Sequence, residues 1–228
     1  MSALVLCILH SAYVFPELVD AVKDKYLSGC YPLPNECKDR ISERRFYEFI
    51  VASCYYGRLT MDELKQAYKF SEFVDYFLRS ISMWSGKENF VLEDWIVPCW
   101  ECIKAYHEEK VQNYAELLLH SVEHVVVPTQ ELLDLYIEVV SCCKARMFVQ
   151  VKTPKILEFC NVDVDKALQL AEDLIKKDDY IEKNELIAFS QTCAETNRRD
   201  NARRLLNELC EEGRIGLETK EECGKLLK

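Results

Sequence analysis

A chain of 228 residues that carries only six glycines and six prolines has few places to turn sharply. Sandwiches and barrels need a turn every few residues, so this scarcity argues against an all-β fold and predicts long helices joined by short loops. At this length folding buries about 70% of the unfolded chain's surface, so a core can hold without metal or disulfide. The residues are 49% hydrophobic and 30% charged, a globular balance rather than a disordered one.

Apolar spacing and cap residues predict the elements. A first helix runs from Ser2 to Tyr13. Pro16 opens a second, which Gly29 ends. Ser42 caps a third that ends near Gly57. Thr60 and Glu63 have capping-box spacing, the hydroxyl serving one backbone N–H and the carboxylate the other, so a helix starts there. Further helices are expected at about 71–84, 92–109, 112–124 and 130–146. Pro154 interrupts the pattern, and two or three helices close the chain. The expected organisation is a helical-repeat region over 1–146, an irregular connector over 147–164 and helical hairpins over 165–228.

The C-terminal part repeats itself. Asp165-Lys166-Ala167-Leu168-Gln169-Leu170-Ala171-Glu172-Asp173-Leu174-Ile175 matches Asp200-Asn201-Ala202-Arg203-Arg204-Leu205-Leu206-Asn207-Glu208-Leu209-Cys210 at an offset of 35. Apolar residues 167, 170, 171, 174 and 175 map onto 202, 205, 206, 209 and 210, each set forming one helical face. The simpler reading is that any two amphipathic helices share this spacing. The matched aspartates and a helix between them at Leu186–Ala194 favour a hairpin repeat. Ala167, Leu170, Leu174, Ala202, Leu205 and Leu209 are the expected seam between successive hairpins.

Glu195 to Ala202, followed by Leu205-Leu206, Leu209 and Glu211-Glu212-Gly213, resembles a pentatricopeptide repeat. Asn197 stands where that family has a turn glycine, Gly213 matches its terminal glycine, and Asp178 occupies the glycine position of the preceding copy. Ala12 to Ala21 looks like the helical repeats of the FAST-kinase-like and octotricopeptide families. The resemblance implies an α-solenoid of stacked antiparallel hairpins, of pentatricopeptide or tetratricopeptide type, and a role in organelle RNA metabolism. The places that read a base in coding repeats fall on Ile187 and Leu217. Isoleucine and leucine offer no donor or acceptor to a base edge, so stacking is implied and base reading is not supported there.

The net charge of −10 argues against nucleic acid as the sole partner, because phosphate neutralisation by Lys and Arg supplies much of such affinity. Arg198, Arg199, Arg203 and Arg204 form the densest basic cluster and are the candidate partner-binding residues. A solvated face offset by Glu208, Glu211 and Glu212 explains the same cluster equally well. Ala3 to Leu9 resembles the apolar core of a signal peptide. No basic residue precedes it and no small-residue cleavage site follows, so it is read as helix. No apolar run reaches membrane-spanning length.

Chemistry-bearing motifs are few. His120-x-x-Glu123-His124 has the zinc spacing of an inverted metalloprotease motif, but no third ligand is evident, and two histidines on a charged helix face are the simpler reading. Cys99-x-x-Cys102, with His107 nearby, lacks a second pair and reads as a helix-start pair after Pro98. Cys142-Cys143 read as packing, and Trp84, Trp95 and Trp100 as core. No phosphate-binding glycine loop or nucleophile elbow occurs.

The expectation is a non-catalytic helical-repeat subunit or adaptor of a multiprotein assembly. The resemblance points to a mitochondrial ribonucleoprotein, either the mitochondrial ribosome or an RNA-processing complex. Its partners are other proteins, with RNA as a further contact inside such a particle. No cofactor, metal, small-molecule substrate or membrane insertion is expected. The alternative is direct binding of single-stranded RNA, and a zinc metalloenzyme is the outsider. Several cysteines (Cys7, Cys54, Cys142, Cys143, Cys193, Cys210) sit in apolar helical patterns, which predicts free thiols in a reducing, intracellular compartment. The mitochondrial matrix follows from the resemblance, with the cytoplasm as the other location. All twelve cysteines are expected to titrate after denaturation without reductant, and thiols missing in pairs would refute this.

Overall fold

The computed structural model describes residues 60, 62–63, 70–81, 91–105, 108–143 and 153–228. The helices expected at 2–13, 16–29 and 42–57 lie outside the described residues, as do Trp84 and His107. The described residues fold as helices joined by turns, with no strand among them, as an all-α fold requires. The chain divides into two compact units, Met1–Tyr106 and His107–Lys228. That division falls inside the stretch 1–146 expected to be one repeat region.

In the first unit Thr60 and Glu63 form the expected box. The Glu63 N–H donates to the Thr60 hydroxyl at 3.2 Å, and the Glu63 carboxylate accepts from the Thr60 N–H at 2.9 Å. Helix α1 (Phe70–Ser80) packs on α2 (Glu93–Lys104). Val74, Phe77 and Leu78 repeat at helical spacing and are buried, as are Trp95, Ile96, Cys99, Trp100 and Ile103. Phe77 stacks on Trp95 with ring centroids 5.1 Å apart. α2 continues through Pro98.

The second unit contains α3 (Glu108–Leu119), a 3₁₀ turn (His120–His124) and α4 (Gln130–Cys142). There follow α5 (Thr153–Leu157), a second 3₁₀ turn (Glu158–Asn161) and α6 (Val164–Lys177). The last helices are α7 (Lys183–Glu195), α8 (Arg199–Glu211) and α9 (Leu217–Lys225). α3 packs on α4, α4 on α6, α5 on α6 and α7, α7 on α8 and α9, and α8 on α9. Tyr136 of α4 is fully buried at the centre of this core. Its hydroxyl shares a 2.7 Å hydrogen bond with Ser121, and its ring meets Phe159 edge-on at 6.0 Å.

Within the span 147–164 expected as an irregular connector, residues 153–161 are helical, and residues 147–152 lie outside the described residues. Pro154 sits in the first turn of α5, where its missing N–H would have had no intrahelical partner. Glu185 of α7 completes that helix start by accepting from the N–H and the hydroxyl of Thr153, both at 3.2 Å.

Helix α4 lies parallel to α6. Near their N-terminal ends Lys166 meets Asp134 at 2.7 Å, and at their C-terminal ends Lys177 donates to the Val140 and Cys143 carbonyls at 2.7 and 2.6 Å. Helix α8 lies parallel to α6 in the same way, Arg198 facing Asp165 and Glu208 facing Lys176.

The helix ends follow from residue type. α7 and α8 close with the paired N–H bonds of a Schellman motif: Arg198 to Cys193 and Asn197 to Ala194, Arg214 to Leu209 and Gly213 to Cys210. The motif needs a left-handed residue, supplied by Asn197 at φ 59° and Gly213 at φ 71°. α6 has Asp178 at the matching place, in extended conformation at φ −70°, and makes no such turn. Arg214 closes that helix instead, its guanidinium donating to the carbonyls of Lys176 at 2.9 Å and Ile175 at 3.2 Å, and to that of Asp178.

Leu205 is fully buried on α8. Leu205→Ala is expected to cost about 2–5 kcal/mol of unfolding free energy in a denaturant titration. No measurable loss would mean that the helical face aligned at offset 35 is not a packing face.

Candidate functional site

The residues expected to form the seam are all buried. Ala167, Leu170 and Leu174 of α6, and Ala202, Leu205 and Leu209 of α8, each expose 4% or less. Beside them a row of charged pairs crosses from α6 to α8. Arg198 binds Asp165 with both ends of its fork, at 2.7 and 3.3 Å. Arg204 binds both oxygens of Glu172, at 2.9 and 3.2 Å. Lys176 bridges Glu172 at 2.8 Å and Glu208 at 2.6 Å. Glu172 exposes only 3% of its side chain, so these cations are what make its burial tolerable. At the 35-residue offset Asp165 corresponds to Asp200, yet Arg198 faces it, at a separation of 33. The pairs Glu172–Arg204 and Lys176–Glu208 are 32 apart, so all three contacts fall two or three residues short of the repeat offset.

The arginine cluster is thus largely engaged within the chain. Arg203 donates to Asp200 at 3.0 Å and to the Leu227 carbonyl at 2.9 Å, and Arg199 donates to Asn197 at 3.2 Å. The acidic groups that offset the cluster are mainly Asp165, Glu172 and Asp200, rather than Glu211 and Glu212. Charge pairing also moves titrations. The hydrogen bond from Arg198 holds the Asp165 carboxyl below its ordinary value of 3.8, and the bond from Lys166 does the same for Asp134. The bond from Lys176 lowers Glu208 from 4.5. Glu185 is raised, because desolvation outweighs its bonds from Thr153.

The remaining candidates do not converge. Cys99 and Cys102 lie in the middle of α2, not at a helix start, since the helix begins at Glu93 and runs through Pro98. Burial pushes the Cys99 thiol strongly up, away from the thiolate that metal or redox chemistry needs. His120, Glu123 and His124 lie on a 3₁₀ turn rather than an α-helix, and burial lowers the His124 pKa. Among the described residues no three His, Cys, Asp or Glu side chains are grouped to hold a metal ion. Cys143 is buried, its thiol bonded to the Val139 carbonyl at 3.3 Å and pushed up to about 12 by desolvation, whereas Cys142 is exposed. The described cysteines, from Cys99 to Cys223, are all free thiols. Trp95 and Trp100 are core residues. No helix of the described residues is long and apolar enough to cross a membrane.

Lys177, Arg214 and Glu172 are the joint residues that sequence reasoning missed. Their partners on the neighbouring helices lie more than thirty positions away, so no local pattern reveals those contacts. The one available signal was Asp178 in place of glycine, which leaves α6 without a local way to end. No protein-family model, no curated protein and no solved structure matches the chain.

The charged row sets a pH dependence. A carboxyl whose pKa is lower folded than unfolded stabilises the fold above its unfolded value, and the contribution fades as pH falls through the folded value. The melting difference between wild type and Asp165→Asn should therefore be present at neutral pH and vanish with acidification below 3.8. High salt should shrink it at neutral pH, because the pair is exposed. A difference that persists unchanged to pH 2 would remove the pair from the stability argument.

Proposed function

We propose that this chain is a non-catalytic adaptor, built of stacked helical hairpins, that joins other proteins in a larger assembly. The observation that supports the reading best is the set of contacts linking α4, α6 and α8. These helices lie parallel and are tied by pairs 32 to 39 residues apart, with α5, α7 and α9 packed beside them. A hairpin cannot bury its apolar face alone, so hairpins stack, and the stack offers an extended surface to partners. The resemblance of residues 195–213 to a pentatricopeptide repeat supports an organellar ribonucleoprotein as the assembly. Direct reading of RNA has less support, because Arg198 and Arg204 are engaged by Asp165 and Glu172.

The test pairs stability with assembly for each variant. The tagged chain should recover one defined set of proteins in fixed stoichiometry, with recovery resistant to ribonuclease. Leu205→Ala should lower both recovery and melting temperature. Arg199→Ala should leave the melting temperature unchanged and report whether the cluster touches the partner. Recovery that disappears with ribonuclease, together with salt-dependent binding of single-stranded RNA by the purified chain, would replace this reading with the RNA-binding one.

A further inference from the structure

Residues 178–182 join α6 to α7 inside the second unit. Both ends of this loop are extended, Asp178 at φ −70°, ψ 133° and Glu182 at φ −76°, ψ 136°. Its start is pinned from two sides. Arg214 donates to the Asp178 carbonyl, and the Tyr180 N–H donates to the Asp178 carboxylate at 3.0 Å. Asp178 is buried, yet Tyr180, two residues on, is 68% exposed.

The other described tyrosines are placed differently. Tyr136 is fully buried with its hydroxyl bonded to Ser121, and Tyr76 and Tyr114 are half-buried. Tyr180 also lies between carboxylates along the chain, in Asp178-Asp179-Tyr180-Ile181-Glu182. Asp179 and Glu182 are exposed. The lysines that flank the loop are engaged elsewhere: Lys176 with Glu172 and Glu208, Lys177 with the Val140 and Cys143 carbonyls, and Lys183 with Glu222.

We propose that Tyr180 is a phosphorylation site, modified by a protein tyrosine kinase that selects acidic substrates. Protein kinases take their acceptor residue from an extended segment, and a cleft with basic walls complements a tyrosine set between carboxylates. The Tyr180 hydroxyl oxygen attacks the γ-phosphorus of ATP, the bond to the bridging β–γ oxygen breaks, ADP leaves, and the phenolic proton passes to a carboxylate of the kinase. The ester adds about −1.5 to −2 charge at neutral pH. With carboxylates beside it and the flanking lysines taken, the phosphate stays in water. Its oxygens are then open to an arginine-lined pocket on a partner protein. The proposal does not depend on the adaptor reading.

The test is to incubate the full chain with Mg²⁺, ATP and a tyrosine kinase known to be active on an acidic tyrosine peptide. Mass mapping should find phosphate on Tyr180 before Tyr136, Tyr76 or Tyr114. Tyr180→Phe should remove that phosphopeptide. Asp179→Asn combined with Glu182→Gln should slow the modification several-fold, the glutamine still offering an acceptor to the start of α7. The phosphorylated and unmodified chains should melt at the same temperature, because the ester faces solvent. No phosphate on Tyr180 would overturn the proposal, and so would Tyr136 modified first. A neutralised loop phosphorylated as fast as wild type would overturn the acidic selection. A shifted melting temperature on phosphorylation would overturn the solvent-facing phosphate. None of these readouts involves partner recovery, so failure of the adaptor reading leaves them in place.

Discussion

A carboxylate with 3% of its side chain exposed fixes how the second unit is put together. Glu172 lies inside the α6–α8 contact, where it is met by two cations, Lys176 from its own helix and Arg204 from α8. An apolar seam alone specifies register weakly, because leucines on facing helices slide past one another at modest cost. The pairing with Arg204 does not slide, since moving α8 by one turn would leave Glu172 with Lys176 alone. The same pairing, two to three residues short of the 35-residue offset, also joins Arg198 to Asp165 and Glu208 to Lys176. Those two contacts are exposed and add mainly direction, whereas Glu172 adds a penalty for every wrong register.

The ends of the parallel helices obey a related constraint. Each α-helix leaves its last carbonyls without intrahelical donors. Where the chain has a residue that accepts positive φ, as at Asn197 and Gly213, the backbone turns back and supplies the donors itself. Where it has Cys143 or Asp178 in extended conformation, the donors come from the next helix layer. Lys177 and Arg214 therefore do two things, closing one helix and docking another. A helix closed this way is incomplete without its neighbour, which makes the joint cooperative as well as specific.

These two levels explain what could be read from the sequence. The burial of residues 167, 170, 174, 202, 205 and 209 and the Thr60–Glu63 box depend on residues within a turn or two, and spacing reveals them. α5 was hidden because a proline in the first turn of a short helix looks, locally, like a proline that breaks one. Cys99 was misplaced for the opposite reason, since Pro98 lies inside α2 rather than before it. The arginine cluster shows the limit most clearly. Arg198, Arg203 and Arg204 look free along the sequence, because the groups that claim them include Asp165, Glu172 and the Leu227 carbonyl, each 24 or more residues away. A run of charge reports where cations are and says nothing of what the fold brings to meet them.

The use of cations at the joints bears on what kind of partner the protein suits. The chain has 29 lysines and arginines against 39 aspartates and glutamates, so positive charge is the scarcer kind. Lys166, Lys177, Arg198, Arg204 and Arg214 are all spent holding one helix to the next. A surface that binds a phosphate backbone needs several basic side chains free to displace counterions, and these five are not free. Exposed acidic groups such as Glu211, Glu218 and Glu221 carry no such duty in the joints described. In this unit those five cations are part of how one helix meets the next, and turning any of them to a phosphate contact would first break a joint.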